Sequence, residues 1–185
     1  MLEEIGEPYE LTTMTWEQGS GEEHRARQPL GRVPVVQFDE GYVFESAAIC
    51  LHLADLHPDA GLIGPLASHA RALAYQWSTF APAELEPPLI EAAIFRESDP
   101  ERSEKARERF FKAADAVAAS LDGREYLIED RFGVADVLIS TVLSFTKRAN
   151  FPEPLSPALN DYVERLFARP AYQRALEKAS APAPS

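Results

Sequence analysis

The sequence predicts an α+β chain in two parts: a small α/β unit over residues 1–57 and an all-helical unit over residues 67–180. Three observations predict it. Around Asp39-Glu-Gly41, short β-prone runs flank a turn, the pattern of a hairpin. From residue 67 the apolar residues recur with helical spacing instead. Between the two lies a linker over residues 58–66, where His57-Pro-Asp-Ala-Gly-Leu-Ile-Gly-Pro65 has the Pro and Gly density expected of one. The tail Ala181-Pro-Ala-Pro-Ser185 is of low complexity and is expected to be disordered.

In the first unit, Leu2 to Ile5 reads as a last helical turn, with Gly6 as its C-cap. Tyr9 to Thr15 alternates β-prone residues and reads as a strand. Trp16 to Arg27 is polar and contains glycine, so a loop with at most a short helix is expected. Val33 precedes a proline and is pushed to extended φ/ψ. Pro34 lacks an N–H for a ladder, so it belongs at a strand start, and Val33-Pro34 is a candidate cis bond. Val35, Val36 and Phe38 continue the strand, Gly41 serves the turn, and Tyr42 to Phe44 returns. Ser46 is a good N-cap for a helix that spaces Ile49, Leu53 and Leu56.

In the second unit, Ala67 to about Phe80 forms one helix, which Pro82, Pro87 and Pro88 break or kink. Ser98-Asp-Pro-Glu101 reads as a capping box. The helix behind it lines Ala106, Phe110, Ala113, Val117 and Leu121 on one face and ends at Asp122-Gly123. Another helix opens at Phe132-Gly-Val-Ala-Asp136, with Asp136 at its third position. Ser156-Pro157 starts a helix that turns Leu159, Tyr162, Val163, Leu166 and Phe167 inward, and Arg169-Pro170 starts a short last one.

Composition excludes several function classes. The 18 Lys and Arg face 30 Asp and Glu, and a net charge of −12 argues against nucleic acid and anionic membrane as partners. No apolar run reaches membrane-spanning length. One cysteine, Cys50, leaves no internal disulfide and suits a reducing cytoplasm. It falls near the apolar side of its helix, where a free cysteine is usually a small buried hydrophobe. His24, His52, His57 and His69 lack the spacing of metal ligands, so no metal is expected.

The chemistry concentrates around the hairpin. An exposed strand edge at Val33, the acid Glu45, the hydroxyl of Ser46 and a helix N-terminus fall close together. A helix N-terminus attracts a carboxylate, and a neighbouring glutamate attracts an ammonium. Side by side they suit the head of one amino acid, and Arg32 can reach a second carboxylate.

Gln28-Pro-Leu-Gly-Arg-Val-Pro34, a short hairpin and then Glu45-Ser46 resemble the glutathione-binding segment of the glutathione transferase family. Gln28 stands where the family pattern usually has Asn. The helical half resembles the family's second domain, with Gly133 in place of the usual Ser or Thr before Asp136. The resemblance implies a thioredoxin-like first domain and glutathione as co-substrate. It implies that the Val33 backbone pairs with the cysteinyl unit, that Pro34 shapes the edge, and that Glu45 and Ser46 hold the γ-glutamyl head. Tyr75 is a candidate for the second-substrate pocket, and the partners implied are a small-molecule electrophile and a second copy in a homodimer.

The family's first strand and the loop bearing a Tyr, Ser or Cys beside the glutathione sulfur have no counterpart, so the thioredoxin-like domain is expected to be incomplete and the catalytic residue is unassigned. A missing central strand would leave buried backbone groups unpaired, each at a cost of about 1–3 kcal/mol. Either Met1 is an internal residue of a longer product, or the chain is a shortened relative that pairs its strands differently or borrows one from a partner. Two other functions fit the same residues: a non-catalytic binding or interaction module, and a glutathione-dependent isomerase or dehalogenase.

Overall fold

A computed structural model describes residues 1–149, 151 and 153–180, with only the backbone of Trp16 and Arg148. The tail expected to be disordered lies outside the described residues. The chain divides into two compact units. One comprises Met1–Ala60 and the chain from Arg169 onward, and the other comprises Gly61–Ala168.

The first unit opens with helix α1 (Leu2–Ile5), which Gly6 ends in a left-handed conformation at φ 83, its N–H donating to the Leu2 carbonyl. No strand forms over the expected residues 9–15. Alternation supplies propensity but not a partner, and no described strand pairs with this segment. Its residues find other roles. The Tyr9 hydroxyl donates to Glu3 Oε1 at 3.0 Å. Thr15 caps helix α2 (Trp16–Ser20), its Oγ1 accepting from the Gln18 N–H at 3.2 Å while Gln18 Oε1 accepts from the Thr15 N–H at 2.8 Å. Helix α3 (Glu22–Arg25) follows, so the expected loop is largely helical.

Strands β1 (Val35–Phe38) and β2 (Gly41–Phe44) pair antiparallel, from Val35 opposite Phe44 to Phe38 opposite Gly41, leaving Asp39 and Glu40 as a two-residue turn. Helix α4 (Ser46–Leu56) buries Ile49, Cys50, Leu53 and Ala54. The His52 ring meets Phe38 edge-on at 4.9 Å and ties α4 to the hairpin. The final helix α10 (Pro170–Ser180), placed by the sequence in the helical half, instead packs on α1. Charge explains the difference. Arg169 grips Glu4 through two hydrogen bonds of 2.7 and 2.8 Å, and Arg174 and Lys178 both reach the Glu3 carboxylate.

In the second unit, helix α5 (His69–Phe80) is capped by Ser68, whose Oγ accepts from the Arg71 N–H. The chain then passes through one π-helical turn (Ala81–Leu85) into α6 (Glu86–Phe95). Pro82 is thus absorbed by a wider turn rather than ending the helix. Helix α7 (Pro100–Leu121) is capped by Asp99, whose Oδ1 accepts from the Arg102 N–H, and not by Ser98; Pro100 fixes the first helical position one residue later than expected. Its inner face is Ser103, Ala106, Phe110, Ala114, Val117 and Leu121, with Ala114 rather than Ala113 buried.

Helix α8 (Val134–Arg148) and helix α9 (Pro157–Phe167) complete the core. Asp136 is fully buried at the start of α8, where it accepts from the Leu127 N–H at 3.0 Å, the Gly133 N–H at 2.9 Å and the Tyr162 hydroxyl at 2.8 Å. Gly133 is required by packing. The Val134 N–H donates to the Leu62 carbonyl at 2.9 Å, and a Cβ at Gly133 would stand 2.7 Å from that same oxygen.

Candidate functional site

The hairpin register builds the site. Because Val35 lies opposite Phe44, the residues that precede β1 and those that follow β2 emerge at the same end of the ribbon. Arg32, Val33 and Pro34 are thereby brought to Glu45 and Ser46. All five are exposed, Val33 at 69%. The Val33-Pro34 peptide is cis. Neither the N–H nor the carbonyl of Val33 pairs with another described residue, so one peptide edge is open to a ligand.

Glu45 departs from the expected arrangement. It, and not Ser46, is the N-cap of α4, and no side chain caps that helix. The reason is the abrupt passage from β2, which runs to Phe44, into a helix that begins at Ser46. A single residue makes the reversal, and Glu45 does so at φ 72 and ψ 119. A non-glycine residue there carries about 1–3 kcal/mol of backbone strain, and such residues concentrate at ligand clamps and active sites. Ser46 is the first helical residue, in the turn whose N–H groups have no partner within the helix.

A buried layer beneath the edge escaped the sequence reading. The Gln28 side chain is 2% exposed, and its Oε1 accepts from the Leu30 N–H at 2.7 Å and the Arg32 N–H at 3.0 Å. His24, 3% exposed, places Nε2 2.8 Å from the Arg32 carbonyl. Gly31 takes φ 69 with Gly19 against it: a Cβ at Gly31 would lie 2.6 Å from the Gly19 carbonyl. The signal in the sequence was the polar pair His24 and Gln28, four residues apart, with Gln28 the first residue of the motif itself.

Tyr75 belongs to the second unit, half exposed on α5 with the Arg71 guanidinium 5.8 Å from its ring centre. Burial pushes the Cys50 thiol up to about 11, so it is protonated at neutral pH and is no nucleophile. Among the described residues, no three His, Cys, Asp or Glu side chains gather as metal ligands, and no helix is long and apolar enough to cross a membrane.

Residues 1–55 match the family model described as the N-terminal domain of glutathione S-transferase, and residues 70–170 match that of its C-terminal domain. Glutathione S-transferase GST-4.5 of Xanthomonas campestris pv. campestris is 29% identical over 176 residues, which cover 92% of this chain and 86% of that protein. Among solved structures, a ternary complex of BphK, a bacterial transferase, superimposes with a TM-score of 0.88 at 28% identity, covering 97% of this chain and 92% of that one. A sphingomonad glutathione S-transferase complexed with glutathione gives a TM-score of 0.86 at 25% identity, with coverage of 97% and 92%.

Proposed function

Because the chain belongs to the glutathione transferase family, we propose that it binds glutathione along the Val33 edge and conjugates the peptide's thiol to a small electrophile. The observation that carries this reading is the open Val33 peptide edge at the same end of the hairpin as the strained Glu45. The sphingomonad relative's complex with glutathione supports the same ligand.

Each residue has one task. The Val33 N–H and carbonyl pair with the cysteinyl residue of the peptide, as an added strand would. Pro34 holds that edge in place. The Glu45 carboxylate accepts hydrogen bonds from the γ-glutamyl ammonium, and the Ser46 hydroxyl with the first-turn amides of α4 takes the neighbouring carboxylate. Arg32 meets the glycyl carboxylate. The nucleophile is the glutathione sulfur. As a thiolate it forms a C–S bond to the electrophilic carbon while the leaving group departs with its electron pair, and the thiol proton passes to solvent. Tyr75 is assigned to the electrophile. The working form is a cytoplasmic homodimer.

Calorimetric titration with glutathione, followed by a conjugation assay with an activated aryl halide, tests the proposal. Binding with turnover is the expected outcome. Binding without turnover would reduce the protein to a glutathione-binding module, and no binding would remove the site.

A further inference from the structure

We propose that His24 is a positioning residue for the glutathione edge, holding the Arg32 peptide unit from the side opposite Gln28 and so fixing the backbone of Val33. This rests on the reading of the Val33 edge as a glutathione site.

The two ends of residue 32 are both held by buried side chains. Its N–H donates to Gln28 Oε1 at 3.0 Å, and its carbonyl lies 2.8 Å from His24 Nε2. A carbonyl oxygen only accepts, so Nε2 carries the proton and donates. Both side chains are nearly sealed from water, at 3% and 2% exposure, so water does not readily replace either bond. The geometry has a direct consequence for Val33. The peptide plane that ends in the Arg32 carbonyl also contains the Val33 N–H, because the six atoms between successive Cα atoms are coplanar. A donor that fixes the carbonyl therefore fixes the direction of the Val33 N–H, the group proposed to meet the ligand. Arg32 and Val33 are themselves exposed, so little side-chain packing orients this peptide. The two holders sit on one short stretch of chain: His24 lies in α3 and Gln28 three residues beyond its end, where the Gln28 N–H donates to the His24 carbonyl at 2.9 Å. The edge is thus anchored to α3 by a short polar relay.

The test compares glutathione dissociation constants by calorimetry for the wild type, His24→Phe and His24→Gln. Phe keeps a planar ring but has no donor, whereas Gln loses the ring and retains an N–H near the position of Nε2. Loss of preorganisation is expected to weaken glutathione binding by about tenfold in His24→Phe, with His24→Gln within about threefold of the wild type. The amide of Val33 should exchange faster in His24→Phe than in His24→Gln. If both variants bind like the wild type, or if Phe binds better than Gln, the positioning role is overturned while the glutathione site stands. If the wild type itself binds no glutathione, the site reading fails and takes this inference with it. A check on the wild type needs no variant: the ring nitrogen signals of His24 should show a protonated, slowly exchanging Nε2, and an unprotonated Nε2 overturns the proposal.

Discussion

Tyr162 donates its hydroxyl to Asp136 across 2.8 Å, joining α9 to the start of α8 inside the helical core. The same carboxylate serves two backbone N–H groups, from Leu127 and Gly133. Burial raises the Asp136 pKa, and those hydrogen bonds counter the rise. Removing the hydroxyl with Tyr162→Phe should cost about 1–2 kcal/mol, because one buried bond is lost and two remain. Asp136→Ala should cost more, about 3–5 kcal/mol, because three donors are left without a partner. Urea unfolding of both variants checks this, and equal losses would contradict it.

Serine is the better N-cap by propensity, yet Gly133→Ser should destabilise. Its Cβ would press on the Leu62 carbonyl, a backbone atom with no room to swing away. The expected cost is about 1–3 kcal/mol, outweighing the few tenths gained from the cap. A rise in the unfolding midpoint of this variant would show that the segment around Leu62 yields.

The α1–α10 clasp should be sensitive to acid. Hydrogen bonds from Lys178, then Arg174, hold the Glu3 carboxyl down at about 2, against an ordinary 4.5. A carboxyl depressed in the folded state stabilises fully above the unfolded value, and that contribution fades as pH falls through the folded one. The stability difference between the wild type and Glu3→Gln should therefore be constant above about pH 5 and shrink towards pH 2. Urea unfolding across this range reads it, and a difference that grew with acid would carry the wrong sign.

Glu45 sets stability against binding. Glycine accepts φ 72 without the Cβ conflict, so Glu45→Gly should raise stability by up to about 1 kcal/mol, part of the relief being offset by the greater freedom of the unfolded chain. The same change should weaken glutathione binding by about 1.5–3 kcal/mol, because the carboxylate is lost. Thermal melts and calorimetry on one preparation measure both, and a less stable variant would mean that Glu45 contributes native contacts worth more than the strain.

Local chemistry was legible in the sequence. The hairpin, the cis Val33-Pro34 bond, the Gly6 cap and the inner face of α7 follow from short-range patterns, and all but one α7 position appear as expected. What was not legible depends on distant partners. Tyr9 to Thr15 has strand propensity, but no described strand pairs with it. Helix α10 reads as one more amphipathic helix until Arg169 and Arg174 meet Glu4 and Glu3 from the other end of the chain. The N-cap moved from Ser46 to Glu45 because the strand ends one residue before the helix must begin. His24 read as a histidine without metal-ligand spacing and Gln28 as the residue in the family's Asn position, and only the fold of the loop turns both onto the backbone of Arg32.

The most direct test of the central claim is the glutathione dissociation constant of the wild type and of Glu45→Ala, measured by calorimetry. If the Glu45 carboxylate meets the γ-glutamyl ammonium, the variant should lose about 1.5–3 kcal/mol of binding free energy, roughly 10- to 150-fold, while remaining folded. A folded Glu45→Ala protein that binds glutathione as tightly as the wild type would contradict the assignment of this edge as the glutathione site.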